Sequence, residues 1–321
     1  MKKLLLIIAP LFFFLAACGP DDEIEQEIPN TENSILITGI NESISYTYTS
    51  NNGRTESSVP EDVNMIQILV LNDDNEVVYE QYHYNQNAYN HYYYDSANYE
   101  GDDYVFENTL PDTLYIPPLE DGSYTVLAST AYASYYDYHY YGDSTGTSYP
   151  FIDAYQVTDN PIFVGKAFAE VTSDTDEVVE IDMQNISSRI DLNIIANESD
   201  QWNIEVGLET GNSQYYSFGS ESLEPTEYDY DYISFWRDNY WNQTSYYFLP
   251  RDLRNIRLYY YDYETGFNIN IESDIDPDLA MNVGDVFTLN INIDELIEGG
   301  GSASFTWDDI DWNDVGDVTI P

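Results

Sequence analysis

The segment Met65-Ile-Gln-Ile-Leu-Val-Leu-Asn-Asp-Asp-Asn-Glu-Val-Val-Tyr-Glu-Gln-Tyr82 decides the fold. An apolar run up to Leu71 is followed by four polar residues and then by a second extended segment. Two short segments of this kind around a polar turn predict a β-hairpin. Because Ile66 to Leu71 is apolar on both faces apart from Gln67, we predict that it is a central strand.

The same signal recurs outward from this hairpin. From Ser34 onward, alternating segments bounded by turn residues replace any 3.6-residue apolar period, and the cleanest of them is Phe287 to Ile293. Strands of this length at this spacing predict an all-β protein with two tandem Ig-like β-sandwiches. We place the boundary where one set of strands ends and the next begins, which gives an N-terminal domain at 34–186 and a C-terminal domain at 187–321.

The first seventeen residues have the organisation of a secretory signal peptide. Lys2 and Lys3 precede an apolar run from Leu4 to Leu15, which is too short to span a bilayer as a permanent helix. The following Leu15-Ala-Ala-Cys18 resembles the lipobox of bacterial lipoproteins. That resemblance implies cleavage before Cys18 and a lipoprotein whose diacylglycerol and amide-linked acyl chains, such as palmitate, anchor it in the outer membrane. An ordinary signal peptide with a chance cysteine is the alternative.

Cys18 is the single cysteine of the 321 residues, so the exported chain forms no internal disulfide. Residues 18–33 are rich in acids and contain two prolines, which predicts a lipidated acidic tether. An acidic run after a lipid-bearing cysteine also resembles the signal that sends Bacteroidota lipoproteins to the outer cell surface. A plain flexible linker is the other interpretation.

The composition is strongly acidic. All 59 acidic residues but only seven of the nine basic ones lie beyond Cys18, so the exported part has a formal charge of −52. This charge repels nucleic-acid phosphates, and we therefore exclude a nucleic-acid partner. It suits either a salty exterior or bound calcium. The 33 Tyr, 13 Phe and 5 Trp argue against disorder.

Tyrosine is concentrated in one region, because eighteen of the 33 lie between Tyr79 and Tyr149. Many consecutive aromatic residues cannot all face one core, and tyrosine offers a large amphipathic contact area for protein or sugar binding. A solvent-facing sheet with exposed hydroxyls is the alternative. The candidate ligand-binding residues are Tyr92, Tyr93, Tyr94, Tyr135, Tyr136, Tyr138, Tyr140 and Tyr141.

One acidic pattern is compatible with calcium. Asp274, Asp276 and Asp278 place carboxylates at alternate positions, and Asp285 follows eleven residues after the first. This spacing is similar to that of a twelve-residue calcium loop, although Leu279 stands where the sharp turn demands glycine. A solvated acidic loop is the alternative, and no other cofactor is expected.

No catalytic constellation stands out. Gly142-Asp-Ser-Thr-Gly146 has the spacing of a nucleophile elbow, but no helix is predicted after it and no histidine follows the serine. The three histidines, His83, His91 and His139, lack zinc spacing. We therefore predict that the protein is not an enzyme.

The order of elements resembles a known family. The lipoprotein signal is followed by the hairpin, by Leu119-Glu-Asp-Gly-Ser-Tyr-Thr-Val-Leu-Ala128, and by a strand pair leading into Val179 to Ile194. This arrangement is similar to the fimbrial anchor and tip lipoproteins of Bacteroidota, the FimB/Mfa type, and their fimbrillin-like relatives. The resemblance implies two transthyretin-like β-sandwiches and contact with pilin subunits.

We therefore expect a surface-exposed outer-membrane lipoprotein that serves a fimbria-like assembly as an anchor or an accessory adhesion subunit. Its partners would be the outer membrane and fimbrial or other surface proteins. The alternative is a surface glycan-binding lipoprotein of a polysaccharide-uptake system.

Overall fold

The computed structural model describes residues 33–40, 46–49, 55–58, 63–85, 104–107, 113–135, 149–154, 156–158, 160–172, 177–195, 202–226, 231–238, 245–262, 268–292, 304–305 and 318–319. Twenty-five β-strands form this described part of the chain, and all belong to one compact unit, Glu32–Pro321. The all-β prediction is confirmed. In the described residues, no helix is long or apolar enough to cross a membrane.

The strands are β1 (Ile35–Thr38), β2 (Tyr46–Thr49), β3 (Thr55–Ser58), β4 (Met65–Leu71), β5 (Val77–Asn85), β6 (Tyr104–Glu107), β7 (Leu114–Ile116), β8 (Gly122–Ser129), β9 (Ala133–Ser134), β10 (Phe151–Ile152), β11 (Val157–Thr158), β12 (Phe163–Val171), β13 (Glu177–Glu180), β14 (Gln184–Asn185), β15 (Ser188–Ile195), β16 (Trp202–Gly211), β17 (Gln214–Ser217), β18 (Ser222–Pro225), β19 (Asp231–Asp238), β20 (Ser245–Phe248), β21 (Asp252–Asp262), β22 (Asn268–Ala280), β23 (Val286–Asn292), β24 (Ser304–Phe305) and β25 (Val318–Thr319). The short pairs β2–β3 and β24–β25 form two separate two-stranded sheets.

The predicted hairpin is formed by β4 and β5. Asn72 closes its turn, because its Oδ1 accepts hydrogen bonds from the main-chain N–H groups of Asp74 at 3.1 Å and Glu76 at 2.9 Å. Asn75 adopts a left-handed conformation with φ of 62°, which asparagine tolerates better than most residues. β4 lies inside a six-stranded sheet of order β14-β12-β8-β4-β5-β6, the central sheet, as predicted for a strand apolar on both faces.

The two faces of β4 enter different cores. Ile66, Ile68 and Val70 point towards the three-stranded sheet β13-β1-β7, where they pack in a core with the isoleucines of β1. Leu69 and Leu71 point the other way, into a second core. Because successive side chains of a strand alternate between faces, one apolar run supplies both cores.

The second core joins the two halves of the chain. It is covered by a four-stranded sheet of order β18-β17-β10-β9, the bridging sheet, in which β10 pairs with β17. A similar connection occurs where β11 pairs with β20. Strands from before and after the predicted boundary therefore share two sheets. The division into domains at 34–186 and 187–321 stays a prediction.

The third core belongs to the second half of the chain. It lies between the sheets β11-β20-β15-β23 and β19-β16-β21-β22, with Leu192, Val206, Leu258 and Leu289 among its fully buried residues. The alternation predicted for Phe287 to Ile293 is seen in β23, which pairs in parallel with β15. β23 therefore buries one apolar face, as the period-two pattern requires.

Candidate binding surface

Gln67 is the polar exception in β4 and is fully buried on the face of the central sheet that meets the bridging sheet. Its side-chain amide pairs with the main chain of Ala133: Oε1 accepts from the Ala133 N–H at 2.6 Å, and Nε2 donates to the Ala133 carbonyl at 3.3 Å. The side-chain amide therefore forms two hydrogen bonds with the Ala133 main chain, as a residue of a neighbouring strand would. A buried polar side chain is tolerated there because its hydrogen-bonding groups are used.

Gln156 holds the preceding residue from a different segment. In the orientation that satisfies both of its amide groups, Gln156 accepts from the Tyr132 N–H at 2.8 Å and donates to the Tyr132 carbonyl at 2.9 Å. Two glutamine side chains therefore fix the main chain of the consecutive residues Tyr132 and Ala133. Tyr132 nevertheless remains 44% exposed.

Tyr132 belongs to a group of three near-parallel aromatic rings, which we call the Tyr132 platform and which comprises Tyr82, Tyr84 and Tyr132. The ring centroids of Tyr82 and Tyr132 are 6.4 Å apart with an interplanar angle of 3°, and those of Tyr82 and Tyr84 are 6.3 Å apart with an angle of 16°. Tyr82 and Tyr84 lie on one face of β5 because they are two residues apart in a strand.

Glu80 fixes the buried edge of this platform. One carboxylate oxygen, Oε1, accepts from Tyr82 Oη at 2.6 Å and from Gln67 Nε2 at 2.8 Å. The other, Oε2, accepts from Tyr135 Oη at 2.8 Å. Hydrogen bonds to a carboxylate are stronger than neutral ones, so this residue holds two tyrosines and the glutamine in one arrangement.

Two tyrosine-rich segments predicted to bind ligands follow, in sequence, residues that are described near the platform. One segment continues directly from the end of β5 at Asn85, and the other continues directly from Tyr135. Among the predicted binding tyrosines, the structure describes Tyr135 alone, and this residue contacts Glu80. Tyr92, Tyr93, Tyr94, Tyr136, Tyr138, Tyr140 and Tyr141 lie outside the described residues, as does Cys18.

Sequence reasoning missed Tyr82, Tyr132 and Gln156 as members of a surface. Gln67 gave a usable signal, because a lone polar residue in a strand apolar on both faces must find a buried partner. Tyr132 offered no such signal in the sequence, since its role depends on Gln156 and on the Tyr82 ring, which are distant along the chain.

The candidate calcium ligands fall in and after an edge strand. Asp274 pairs in register with Asn255, and Leu279 pairs with Leu253, so residues 275–278 form a bulge that contains Pro277.

Asp285 lies in the following turn, where its Oδ2 accepts hydrogen bonds from Asn282 N at 2.7 Å and from Asn282 Nδ2 at 3.1 Å. Among the described residues, no cluster of three or more His, Cys, Asp or Glu side chains forms a metal site. Calcium binding by Asp274, Asp276, Asp278 and Asp285 stays a prediction.

Of the three histidines considered for catalysis, His83 is described, whereas His91 and His139 lie outside the described residues. His83 is buried on the opposite face of β5 from Tyr82, and its Nδ1 has no hydrogen-bond partner. Burial lowers the pKa of His83 from 6.5 to about 4, because the charged imidazolium loses its hydration. Its position in the β-sheet core fits a structural residue.

The fold and this surface define an all-β protein with a fixed aromatic contact surface. No family model and no curated protein sequence matches the chain. Among solved structures, the chain is similar to a putative cell adhesion protein from Bacteroides uniformis, with 12% identity and a TM-score of 0.39 over 81% of this chain and 91% of that one. A putative cell adhesion protein from Bacteroides ovatus shows 13% identity and a TM-score of 0.39 over 88% of this chain and 100% of that one.

The fimbrial anchor protein Mfa2 from Porphyromonas gingivalis shows 11% identity and a TM-score of 0.34 over 81% of this chain and 90% of that one. Mfa2 is a fimbrial anchor protein, the type named by the sequence resemblance.

Proposed function

We propose that this protein is a cell-surface lipoprotein that serves a fimbria-like assembly as an anchor or an accessory adhesion subunit. Lipid on Cys18 would attach it to the outer membrane, and the acidic tether of residues 18–33 would separate the lipid from the folded part. Its partners would be other surface protein subunits. We expect no enzymatic activity.

The observation that supports an anchoring role is the position of β1, the first described strand after the tether. β1 pairs in parallel with β13 on one side and antiparallel with β7 on the other. Ile35 and Ile37 are fully buried in the core beneath it. A force applied to the tether would therefore act on an internal strand that is held by hydrogen bonds along both of its edges.

Further main-chain hydrogen bonds hold β1 at its ends and just before its first residue. The Glu177 N–H donates to the Ser34 carbonyl at 2.9 Å, and the Ile181 N–H donates to the Thr38 carbonyl at 2.9 Å. On the other edge, the Leu119 N–H donates to the Asn33 carbonyl at 3.0 Å. A tether joined to a strand fixed in this way suits a protein that holds an assembly at the cell boundary.

Two measurements on cells test the proposal. The full chain, expressed in a Bacteroidota host, should fractionate with the outer membrane and be accessible to protease on intact cells, whereas Cys18→Ala should be released in soluble form. A Cys18→Ala protein that stays membrane-bound would show that the assignment of Cys18 as the lipid anchor is wrong.

The assembly role is tested separately by mild detergent extraction of the lipidated protein. It should co-purify with a second β-rich surface protein in filaments that are visible by electron microscopy. Recovery of the lipidated protein as an isolated monomer, from cells that display such filaments, would count against a role in them.

A further inference from the structure

We infer that the Tyr132 platform is a binding site for a neutral carbohydrate. This inference deepens the proposed role in adhesion and rests on it for its biological setting. Its physical basis is local, because the three platform residues and the side chains that hold them, Gln67, Glu80 and Gln156, all belong to the described part of the chain.

The first argument is preorganisation. Tyr132 is fixed through both of its main-chain polar groups by Gln156, and the next residue is fixed in the same way by Gln67. Its ring stacks on Tyr82, whose hydroxyl is held by Glu80. An exposed aromatic side chain that is already ordered loses little conformational entropy when a ligand binds.

The second argument concerns the size and chemistry of the surface. Tyr82 is only 8% exposed, so most of the accessible ring surface comes from Tyr132, with a contribution from half-buried Tyr84. The exposed ring area of these described residues suits one or two sugar rings, whose C–H groups pack on the electron-rich faces of aromatic rings while tyrosine hydroxyls meet sugar hydroxyls.

The third argument is electrostatic. The whole chain carries a formal net charge of −50, and Glu80 places a carboxylate within hydrogen-bond distance of the Tyr82 hydroxyl. Uronic-acid or sulfated polysaccharides would be repelled both by the overall field and by this local charge. A carbohydrate without charge avoids this penalty, which is why the inference specifies a neutral one.

The test uses the full mature chain and isothermal titration with three neutral probes, cellohexaose, mannohexaose and dextran, and with polygalacturonate as the anionic comparison. At least one neutral probe should bind, and polygalacturonate should not. Tyr132→Ala should weaken that binding by at least about tenfold, the equivalent of one lost aromatic contact. Tyr132→Trp, which keeps an aromatic face, should retain most of it.

Tyr259→Ala is the matched control, because Tyr259 is an exposed tyrosine on β21, in a different sheet. It should bind like the parent protein, and circular dichroism should show that both alanine variants fold. Absence of binding to all three neutral probes, or equal binding by Tyr132→Ala and the parent, would overturn the inference.

The result is separable from the proposed role in a fimbria-like assembly. If Tyr132→Ala abolished co-purification with the filament while the parent bound no neutral probe, the platform would be a protein-docking surface and the carbohydrate inference would be wrong. If sugar binding were present without any filament, the assembly role would fail and the inference would stand.

Discussion

The side-chain amide of Gln67 pairs with the main chain of Ala133 through two hydrogen bonds, of 2.6 Å and 3.3 Å, across 66 positions of the chain. This pairing fixes the residue after exposed Tyr132 to the middle of the central sheet. The same amide nitrogen also lies 2.8 Å from Glu80 Oε1, so one buried side chain links the core to the platform.

Replacing Gln67 with Leu should therefore be costly despite the similar size of the two side chains. The Ala133 N–H and carbonyl would stay buried without this partner, and an unpaired buried group costs about 1–3 kcal/mol. We expect a loss of about 2–4 kcal/mol in the free energy of unfolding, measured by urea denaturation. Gln81→Leu, at a half-buried position on the opposite face of β5, is the control and should change stability far less. Equal effects would show that the amide pairing is unimportant.

His83 predicts a specific dependence of stability on pH. Its pKa is lowered to about 4 in the folded protein from 6.5, so the unfolded chain binds a proton at a higher pH than the folded one. The folded state therefore loses stability as pH falls from about 6.5 towards 4, by an amount on the order of 3 kcal/mol.

The carboxylates of the chain also titrate near the lower end of this range, so the test is a comparison. Urea denaturation of the parent and of His83→Phe at several pH values between 4 and 7 isolates the histidine, because the acidic residues are the same in both. The variant should lose less stability on acidification. Parallel curves for the two proteins would contradict a buried neutral histidine.

Gly165 lies where the chain after β13 approaches β12 closely. A Cβ atom there would overlap the side chain of Ile181 and lie 2.8 Å from Met183 Sδ and 3.0 Å from the Asp182 carbonyl oxygen. Gly165→Ala should destabilise the protein by about 1–3 kcal/mol through overpacking. Gly122→Ala is the control, because its nearest contact would be an ordinary 3.7 Å to the Tyr124 ring. Similar melting temperatures for the two variants would refute the close approach.

Arg251 and Arg257 form a natural pair for comparing buried and exposed arginines. Arg251 is only 2% exposed, and its guanidinium donates to the carbonyl oxygens of Leu249, at 3.1 Å, and Ala154. Arg251→Ala should cost about 3 kcal/mol or more, since it removes a packed side chain and leaves buried carbonyls.

The Arg257 side chain is 42% exposed and makes ion pairs with Glu209, whose side chain is 15% exposed, and with Glu272, whose side chain is 56% exposed. An exposed pair contributes about 0–1 kcal/mol, so Arg257→Ala should cost less than Arg251→Ala, and the part of its effect due to Glu272 should weaken further in high salt. Chemical denaturation of both variants at low and high salt checks the contrast. A larger loss for Arg257→Ala would reverse the assignment of their roles.

Much of the β-structure could be predicted because alternation is a local property of the chain. The β4–β5 hairpin follows from an apolar run, four polar turn residues and a second extended segment, all within eighteen positions. The bulge at residues 275–278 was not foreseen, because an acidic segment with a proline has the same composition as a loop. Pairing with β21 on either side of the bulge keeps it within a strand.

Some features of the candidate site could likewise be predicted from the sequence, whereas others could not. The abundance of tyrosine before and after the central strands is visible in the sequence, and so is the polar exception at Gln67. Which tyrosine would be exposed on a fixed main chain is not visible, since Tyr132 depends on a stack with Tyr82, fifty positions earlier, and on Gln156.

The sequence by itself determined the acidic charge and predicted both the β-structure and a lipoprotein export signal ending at Cys18, because composition and short-range pattern are sufficient for such predictions. The tertiary structure alone decided that β1 lies between β7 and β13, that β10 pairs with β17, and that two glutamines hold Tyr132 and Ala133. The physical reason is that a strand specifies which face is buried, whereas its neighbour is selected by how all strands together close their cores.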